Sequence, residues 1–275
     1  MVSLTIKDII AIMEEMAPAS LAEAWDNVGL QIGDPQQQVT GVLVTLDVTW
    51  PVVQEAVSKG ANLIIAHHPL LFKPLSSLRK DTVQGKIIYS LIEQGISLYV
   101  AHTNLDSASM GVNQVLAEQL GLQAIEVLAE RDVAVQRCQE GADSVQMNCG
   151  LGRIGNLPKQ ISFAEFAQWV KQAIGVQVLN VGGDLHRQVD RIAVCGGSGS
   201  SLAALAIKKG AQVLVTGDIK YHEAHTIVDS ALNYIDAGHY ETEQVILPKL
   251  VAYLSQRIQI PVHLCEVEVN PRKQF

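Results

Sequence analysis

An ungapped internal repeat limits the possible folds of this chain more than any other sequence feature. Residues 60–66 (Gly-Ala-Asn-Leu-Ile-Ile-Ala) align with residues 210–216 (Gly-Ala-Gln-Val-Leu-Val-Thr) at an offset of 150. The same offset relates the apolar stretches that begin at Val42 and Ile192, and each is followed by a predicted helix ending in Lys-Gly. Two unrelated units with the same alternation of elements would also look alike. An internal duplication explains the ungapped alignment as well, so we predict a duplicated fold.

Each copy alternates short apolar segments with helical ones. In the first copy, residues 41–47, 61–66 and 96–101 are predicted strands, and helices are predicted over 51–58 and 86–94. Pro51 suits the first turn of a helix, and a glycine follows each predicted helix. Strand, helix, strand, helix, strand is typical of an α/β sheet with parallel pairs. We therefore predict two three-layer-like α/β halves.

The halves are predicted to span residues 1–128 and 129–275. The stretch after about residue 231 packs either on its own half or back on the first. The bridge, residues 128–160, favours strands separated by glycine-rich turns, because its apolar residues alternate. These alternating residues are Val133, Val135, Val145 and Met147. A helix is predicted over 161–174, with Ser162 as its N-cap and Glu165 three residues later.

Charge and composition exclude several classes of protein. The chain has 20 Lys and Arg against 28 Asp and Glu, a net charge of −8, and no basic run. That balance disfavours binding to a nucleic-acid backbone. Its apolar stretches fall far short of the roughly 18 residues that cross a membrane. The N-terminus lacks the pattern of a secretory signal, and the four cysteines are scattered. We expect a cytoplasmic protein that binds neither nucleic acid nor a membrane, and a small-molecule substrate stays open.

Metal-capable side chains directly follow four predicted strands. They are His67 and His68; His102 and Asp106; Asp218, His222 and Glu223; and His239 and Glu243. In open α/β sheets, ligands bind beyond the ends of the strands. Six of the eight histidines lie in or beside these four places, which indicates a site rather than chance placement.

The spacing of these residues leaves the number of ions open. If His67 and His68 continued a strand, they would point to opposite faces and could serve only two different ions. His102 with Asp106, and His239 with Glu243, share one face if each pair lies on a helix. The alternative for all of them is a structural histidine or a helix-capping acid. Imidazole and carboxylate without thiolate suit Zn, Mn, Fe or Co.

A glycine-rich turn follows the first strand of the second copy. Gly196, Gly197 and Gly199 precede a predicted helix, so their amides could hold an anionic group of a substrate. The alternative is a tight turn that needs glycine for its geometry. The frame Gly-x-Ser-x-Gly is not completed, because Ser200 stands in its last position, and this excludes a serine hydrolase of that type.

Five ordered motifs resemble one known family. They are residues 25–34 (Trp-Asp-Asn-Val-Gly-Leu-Gln-Ile-Gly-Asp), 66–70 (Ala-His-His-Pro-Leu), 101–106 (Ala-His-Thr-Asn-Leu-Asp), 216–223 (Thr-Gly-Asp-Ile-Lys-Tyr-His-Glu) and 238–243 (Gly-His-Tyr-Glu-Thr-Glu). The chain resembles the GTP cyclohydrolase 1 type 2 homologue family, also called the NIF-three-like dinuclear metal proteins. The resemblance spans nearly the whole chain.

The resemblance implies a duplicated α/β fold with two divalent metal ions (Zn, Fe, Mn or Co) in the cleft of a subunit that forms a toroidal homohexamer. The implied metal ligands are His67, His68, Asp106, His239 and Glu243, with Glu243 as the bridging carboxylate. His102, an equal ligand candidate on spacing alone, becomes in this pattern a pocket residue that either supports a metal ligand or transfers a proton. His222 is our second candidate for proton transfer, and no residue is assigned to substrate binding.

Two functions follow from these expectations. The first is a metal-dependent hydrolase similar to GTP cyclohydrolase 1 type 2, in which an activated water attacks a nucleotide ring or a related substrate. The second is a non-catalytic metal-binding hexamer that acts as a scaffold or as a regulatory partner. The sequence identifies neither the metal nor the substrate.

Overall fold

The computed structural model describes residues 4–130 and 149–273. The alternating residues Val133, Val135, Val145 and Met147 lie outside the described residues. No helix in the described ranges has the length and apolar character needed to cross a membrane. Contacts divide the chain into two compact units, one of residues 1–105 and 247–271, the other of residues 106–246 and 272–275.

The described elements alternate as an α/β protein. The helices are α1 Ile6–Met16, α2 Trp50–Ser58, α3 Val83–Glu93, α4 Thr103–Ser107, α5 Val112–Gln119, α6 Phe163–Ile174, α7 Ala203–Lys208, α8 Tyr221–Asp229, α9 His239–Glu243 and α10 Ile246–Ser255. The strands are β1 Gly29–Ile32, β2 Val42–Thr45, β3 Leu63–Ala66, β4 Ser97–Val100, β5 Gln123–Glu130, β6 Gly150–Ser162, β7 Asn180–Gly182, β8 Gln188–Ser198, β9 Val213–Gly217, β10 Asn233–Asp236 and β11 Val262–Leu264. The mixed α/β fold class is confirmed.

The first unit contains a five-stranded sheet in the order β1-β4-β3-β2-β11. Its β2, β3 and β4 are parallel and wholly buried, so they are continuous apolar runs rather than alternating ones. The late strand β11 pairs in parallel with β2, with Val262 opposite Val42. The C-terminal stretch therefore completes the sheet of the first unit.

The second unit contains a six-stranded sheet in the order β5-β6-β8-β9-β10-β7. Its parallel centre is β8, β9 and β10, and the outer strands pair antiparallel. Helix α6 begins with Ser162 as N-cap, whose hydroxyl accepts from the amide of Glu165 at 3.2 Å. It ends at Gly175 in the left-handed region (φ 73°). The helix predicted over 161–174 is thus confirmed to within two residues.

The strand registers of the two sheets reproduce the sequence repeat. Val42 lies opposite Leu63 in the first sheet, and Ile192 lies opposite Val213 in the second. Both members of the second pair stand 150 positions after those of the first. A duplicated βαβ unit accounts for the shared register, because two copies with the same hydrophobic pattern pair their strands in the same way.

The predicted halves and the contact units divide the chain on different grounds. The halves, 1–128 and 129–275, follow the sequence repeat, whereas the units follow packing. The two divisions differ over residues 106–128 and 247–271. The second range includes β11, whose place in the first sheet reflects backbone pairing with β2.

Candidate metal centre

Three histidines of the first unit form a compact cluster. His67 and His68 follow β3, and His102 follows β4, its parallel neighbour, so both segments leave the sheet at the same edge. One ring nitrogen from each histidine lies within 4.8 Å of the others. The rings of His67 and His68 are 4.9 Å apart. The expectation of opposite faces applied to a continuing strand; because β3 ends at Ala66, the two rings come together instead.

Each ring of this cluster is oriented through its Nδ1 atom. The Nδ1 of His67 lies 2.9 Å from the Ala101 carbonyl oxygen, and that of His68 lies 2.9 Å from Asp47 Oδ1. These oxygens only accept hydrogen bonds, so Nδ1 carries the hydrogen, and in the neutral ring Nε2 carries the lone pair. Histidines that bind metals are held in this way by carbonyl or carboxylate oxygens.

His102 is held by a buried carboxylate. Its Nδ1 donates to Asp26 Oδ1 at 2.9 Å, and the Asp26 side chain has no exposed surface. Thr103 donates to Asp26 Oδ2 from its amide at 3.1 Å and from its hydroxyl at 2.5 Å. Burial alone would raise the pKa of Asp26, but the hydrogen bonds from His102 and Thr103 hold it well below its ordinary value. Asp26 therefore remains a carboxylate that fixes the His102 ring.

His239 and Glu243 lie on one face of α9 in the second unit, as their spacing predicts. Nε2 of His239 is 3.2 Å from Oε2 of Glu243, and Nδ1 of His239 donates to Asp218 Oδ2 at 2.8 Å. In the neutral ring, this fixes the Nε2 lone pair toward a carboxylate oxygen. A protonated ring would donate to this oxygen, whereas a neutral ring and the carboxylate can bind one cation together. Glu243 is buried, with 3% of its surface exposed.

Asp218 has a left-handed backbone conformation, and its carboxylate accepts hydrogen bonds from His239 and Arg272. Its φ is 55°, in the left-handed region that costs free energy for residues with a Cβ. It also accepts from Arg272 Nη1 at 2.6 Å. Burial raises the pKa of Asp218, but the hydrogen bonds from Arg272 and His239 outweigh it and lower the pKa. Asp218 therefore serves His239 as Asp26 serves His102.

The glycine-rich turn makes room for Glu243. Gly197 has a φ of +62°, and a Cβ on it would lie 2.2 Å from Glu243 Oε1. A side chain at position 197 would thus occupy the space of the carboxylate. The glycine is required here both by the backbone conformation and by the approach of Glu243.

The hydrogen bonds of the glycine-rich turn favour the tight-turn alternative over an anion cradle. The Gly196 amide donates to Asn113 Oδ1 at 2.8 Å, and the Gly197 amide donates to Thr242 Oγ1 at 3.0 Å. The Gly199 amide donates to the hydroxyl of Thr216, also at 2.8 Å. Side-chain oxygens of the same unit therefore already use the amides that an anion would need.

Asp106 is buried at the start of the second unit. The side chain of Asn113, itself wholly buried, donates to the Asp106 carbonyl oxygen at 3.0 Å while accepting from the Gly196 amide. Burial, followed by the negative charges of Asp106 and Glu243, raises the pKa of the Cys195 thiol. The charges of both carboxylates therefore affect the Cys195 thiol, which lies on β8. Asn113, which joins Asp106 to the Gly196 amide, was not identified from the sequence.

His222 has a different environment from the other candidates. It lies in the first turn of α8, is exposed, and its ring is 5.4 Å from that of Tyr221. The proton-transfer role of His222 stays a prediction.

Comparisons with known proteins decide the family. Residues 4–271 match the sequence model of Duf34/NIF3 (NGG1p interacting factor 3). This chain belongs to the Duf34/NIF3 family. The resemblance predicted from the five motifs is thereby confirmed.

Relatives of this Duf34/NIF3 chain match over nearly its whole length. It is 37% identical over 257 residues to the GTP cyclohydrolase 1 type 2 homolog of Clostridium perfringens, covering 94% of each chain. Among solved structures, the Bacillus cereus protein related to NIF3 has a TM-score of 0.90 and 31% identity, covering 99% of each chain. A Staphylococcus aureus hypothetical protein has a TM-score of 0.89 and 34% identity over all of both chains.

The donor set of this Duf34/NIF3 chain fits a divalent transition metal. It offers imidazole nitrogens fixed through Nδ1 and buried carboxylates, the ligands that zinc, iron, manganese and cobalt share. The His/Glu groups described above could therefore bind a metal.

Proposed function

We propose that this chain binds two divalent metal ions through His67, His68, Asp106, His239 and Glu243 and acts as a metal-dependent hydrolase. The observation that supports this most is the common orientation of the three ligand histidines, each with Nδ1 donating to an oxygen. In the neutral rings, this arrangement makes Nε2 the nitrogen that would bind an ion. The curated relatives named GTP cyclohydrolase 1 type 2 homolog support the same class of reaction.

Glu243 is our candidate for the carboxylate shared by both ions. One of its oxygens lies 3.2 Å from His239 Nε2, and the other occupies the space beside Gly197. The two oxygens of a carboxylate can be used separately, so Glu243 suits a bridging position. Bound divalent ions would supply electrostatic stabilisation of the negative charge that develops during hydrolysis.

His102 is our candidate for proton transfer. Its Nδ1 is engaged by Asp26, so Nε2 is the atom that accepts and returns a proton. Asp26 stays ionised and stabilises the protonated ring. A carboxylate hydrogen-bonded to a catalytic histidine has the same role in known enzymes. His222 stands second, and His102 as a further ligand is the alternative to this assignment, since it lies within the same nitrogen cluster.

Metal content per subunit tests the ligand set. We would measure it by elemental analysis on wild type, His68→Ala and Glu243→Gln, each purified without added metal or chelator. These variants sample ligands from both units, and His225→Ala, an exposed histidine on α8, is the matched control. We expect about two ions in wild type and in the control, and a loss in both ligand variants. One ion or none, unchanged by either substitution, would contradict the assignment.

Turnover tests the hydrolase. We would screen the metal-loaded protein against nucleotides, phosphoesters and cyclic amides, and expect one class to react. Full metal occupancy without any turnover would instead favour the second candidate, a non-catalytic metal-binding scaffold. The family description as an interacting factor favours that candidate. It requires Glu243→Gln to lose metal together with assembly, which we propose to be a homohexamer, as measured by light scattering.

A further inference from the structure

A pocket of the first unit adjoins the histidine cluster. Its volume is about 480 Å³, and its lining includes Trp25, Asn27, Phe72, Lys73 and Leu75. This volume lies within the range of roughly 300–1,000 Å³ typical of small-molecule sites. The ring of Trp25 is 6.2 Å from that of His102. The pocket is therefore next to the group that we propose for proton transfer.

The pocket presents exposed aromatic rings. Trp25 is 60% exposed and Phe72 is 46% exposed, and their rings meet edge to face with centroids 5.8 Å apart. An edge-to-face pair leaves a ring face of one partner open to a planar ligand. Aromatic faces on a pocket wall stack with flat rings without requiring one particular base or substituent.

Hydrogen bonds join the two walls of the pocket. Asn27 Nδ2 donates to the carbonyl oxygen of Leu71 at 2.5 Å. Gln31 donates to the Asn27 carbonyl oxygen at 2.8 Å and accepts from the Leu71 amide at 2.9 Å. Next to Trp25, the Asp26 side chain binds both His102 and Thr103. The walls are thus fixed relative to the histidines before any ligand enters, which lowers the entropic cost of binding.

We propose that this pocket binds the planar aromatic or heteroaromatic ring of a substrate, and that Lys73 pairs with an anionic group on it. Trp25 and Phe72 provide the stacking surface, and Lys73 is the charged residue of the lining. The dipeptide Trp25-Asp26 then couples recognition to chemistry, because one residue contacts the ring and the next orients His102. The substrate role rests on the proposed hydrolase function; binding of the ring does not.

Isothermal titration calorimetry on the full chain tests the proposal, with and without chelator. The probes are AMP, indole-3-acetate and ribose 5-phosphate. AMP and indole-3-acetate both carry a flat ring and an anion, and they separate a nucleotide from an aromatic acid. Ribose 5-phosphate carries the anion alone. We expect one ring-bearing probe to bind at least tenfold more tightly than ribose 5-phosphate.

Variants locate the binding. Trp25→Ala should weaken the ring-bearing probe at least tenfold, Trp25→Phe should restore most of the affinity, and Lys73→Met should weaken it about threefold to tenfold. Trp50→Ala, which removes another partly exposed tryptophan of the same unit, should change nothing. If Trp25→Ala fails to fold, the affinities of Lys73→Met and Trp25→Phe for the ring-bearing probe are compared with that of Trp50→Ala. This comparison still tests whether the probe binds in the pocket.

Several outcomes overturn the proposal. These are no binding of either ring-bearing probe at millimolar concentration, equal binding by Trp25→Ala, or a change of oligomeric state in Trp25→Ala, which would make the patch a contact between copies. The proposed function fails separately. Ring binding by a protein that takes up no ions when divalent metals are added refutes the hydrolase alone. Turnover that is insensitive to Trp25 refutes the pocket alone.

Discussion

Replacing Gly197 with alanine should remove metal and destabilise the second unit by a calculable amount. The new Cβ would lie 2.2 Å from Glu243 Oε1, whereas ordinary contacts begin at 3.4 Å, so the carboxylate must move by about 1 Å. Metal–ligand distances tolerate only about 0.2 Å. We therefore expect Gly197→Ala to lose bound ions to nearly the same extent as Glu243→Gln.

The stability cost of Gly197→Ala has two parts. The left-handed conformation costs alanine about 1–2 kcal/mol, and forcing a buried group aside costs about 1–3 kcal/mol more. Gly210→Ala is the matched control, because Gly210 has a φ of +82° in the same unit and its Cβ would meet nothing within 4 Å. Only the first part applies to it. The difference between the two variants is therefore the cost of the contact with Glu243.

Urea unfolding with chelator present measures the stability difference, and elemental analysis measures the ions. We expect Gly197→Ala to be less stable than Gly210→Ala by about 1–3 kcal/mol, with ions retained only in Gly210→Ala. Equal stability and equal metal content in the two variants would refute the inference that Gly197 exists to accommodate a ligand carboxylate.

Three further predictions concern stability. Chelation should lower the melting temperature of wild type, because a metal at about one hundred times its Kd stabilises the folded state by roughly 2.7 kcal/mol. The melting temperature of Glu243→Gln should not change, and an equal shift in both proteins would contradict the prediction. Arg153 is 1% exposed and donates to three backbone carbonyls, so Arg153→Met should cost about 2–4 kcal/mol in urea unfolding. The exposed Arg79, which among the described residues pairs only with the exposed Asp81, is the control, and Arg79→Met should change the stability little. Burial would raise the pKa of Glu55, but hydrogen bonds from Lys59 and the segment at residues 265–267 lower it from 4.5 to about 2. The stability it provides is therefore complete above about pH 4.5 and lost toward pH 2, and Glu55→Gln should flatten that part of a pH series of unfolding curves.

Local pattern was enough to predict the elements that repeat or have strong end signals. The ungapped run predicted β3 and β9, and the offset of 150 reappears in their registers. Helix α6 was predictable because its capping residues are neighbours in sequence. His239 and Glu243 were predictable as a pair because four residues make one turn of helix.

Long-range partners were not predictable in the same way. Asp26 and Asp47 orient His102 and His68 from 76 and 21 residues away, and no local pattern ties a carboxylate to a histidine over such distances. The two alternatives for the glycine turn stayed open for a related reason. A strand followed by glycines is the same pattern whether its amides face an anion or a side chain, and the deciding Asn113 lies 83 residues from Gly196.

The position of β11 has a consequence for how the chain acquires its structure during synthesis. Residues 106–246 of the second unit emerge from the ribosome as one segment, whereas the first unit needs residues 247–271 to complete its sheet. Until Val262–Leu264 has been made, β2 is an edge strand with open backbone groups that can pair with another chain. The sheet of the first unit, although its first strands are translated early, can therefore be completed only after residues 106–246 of the second unit have been made.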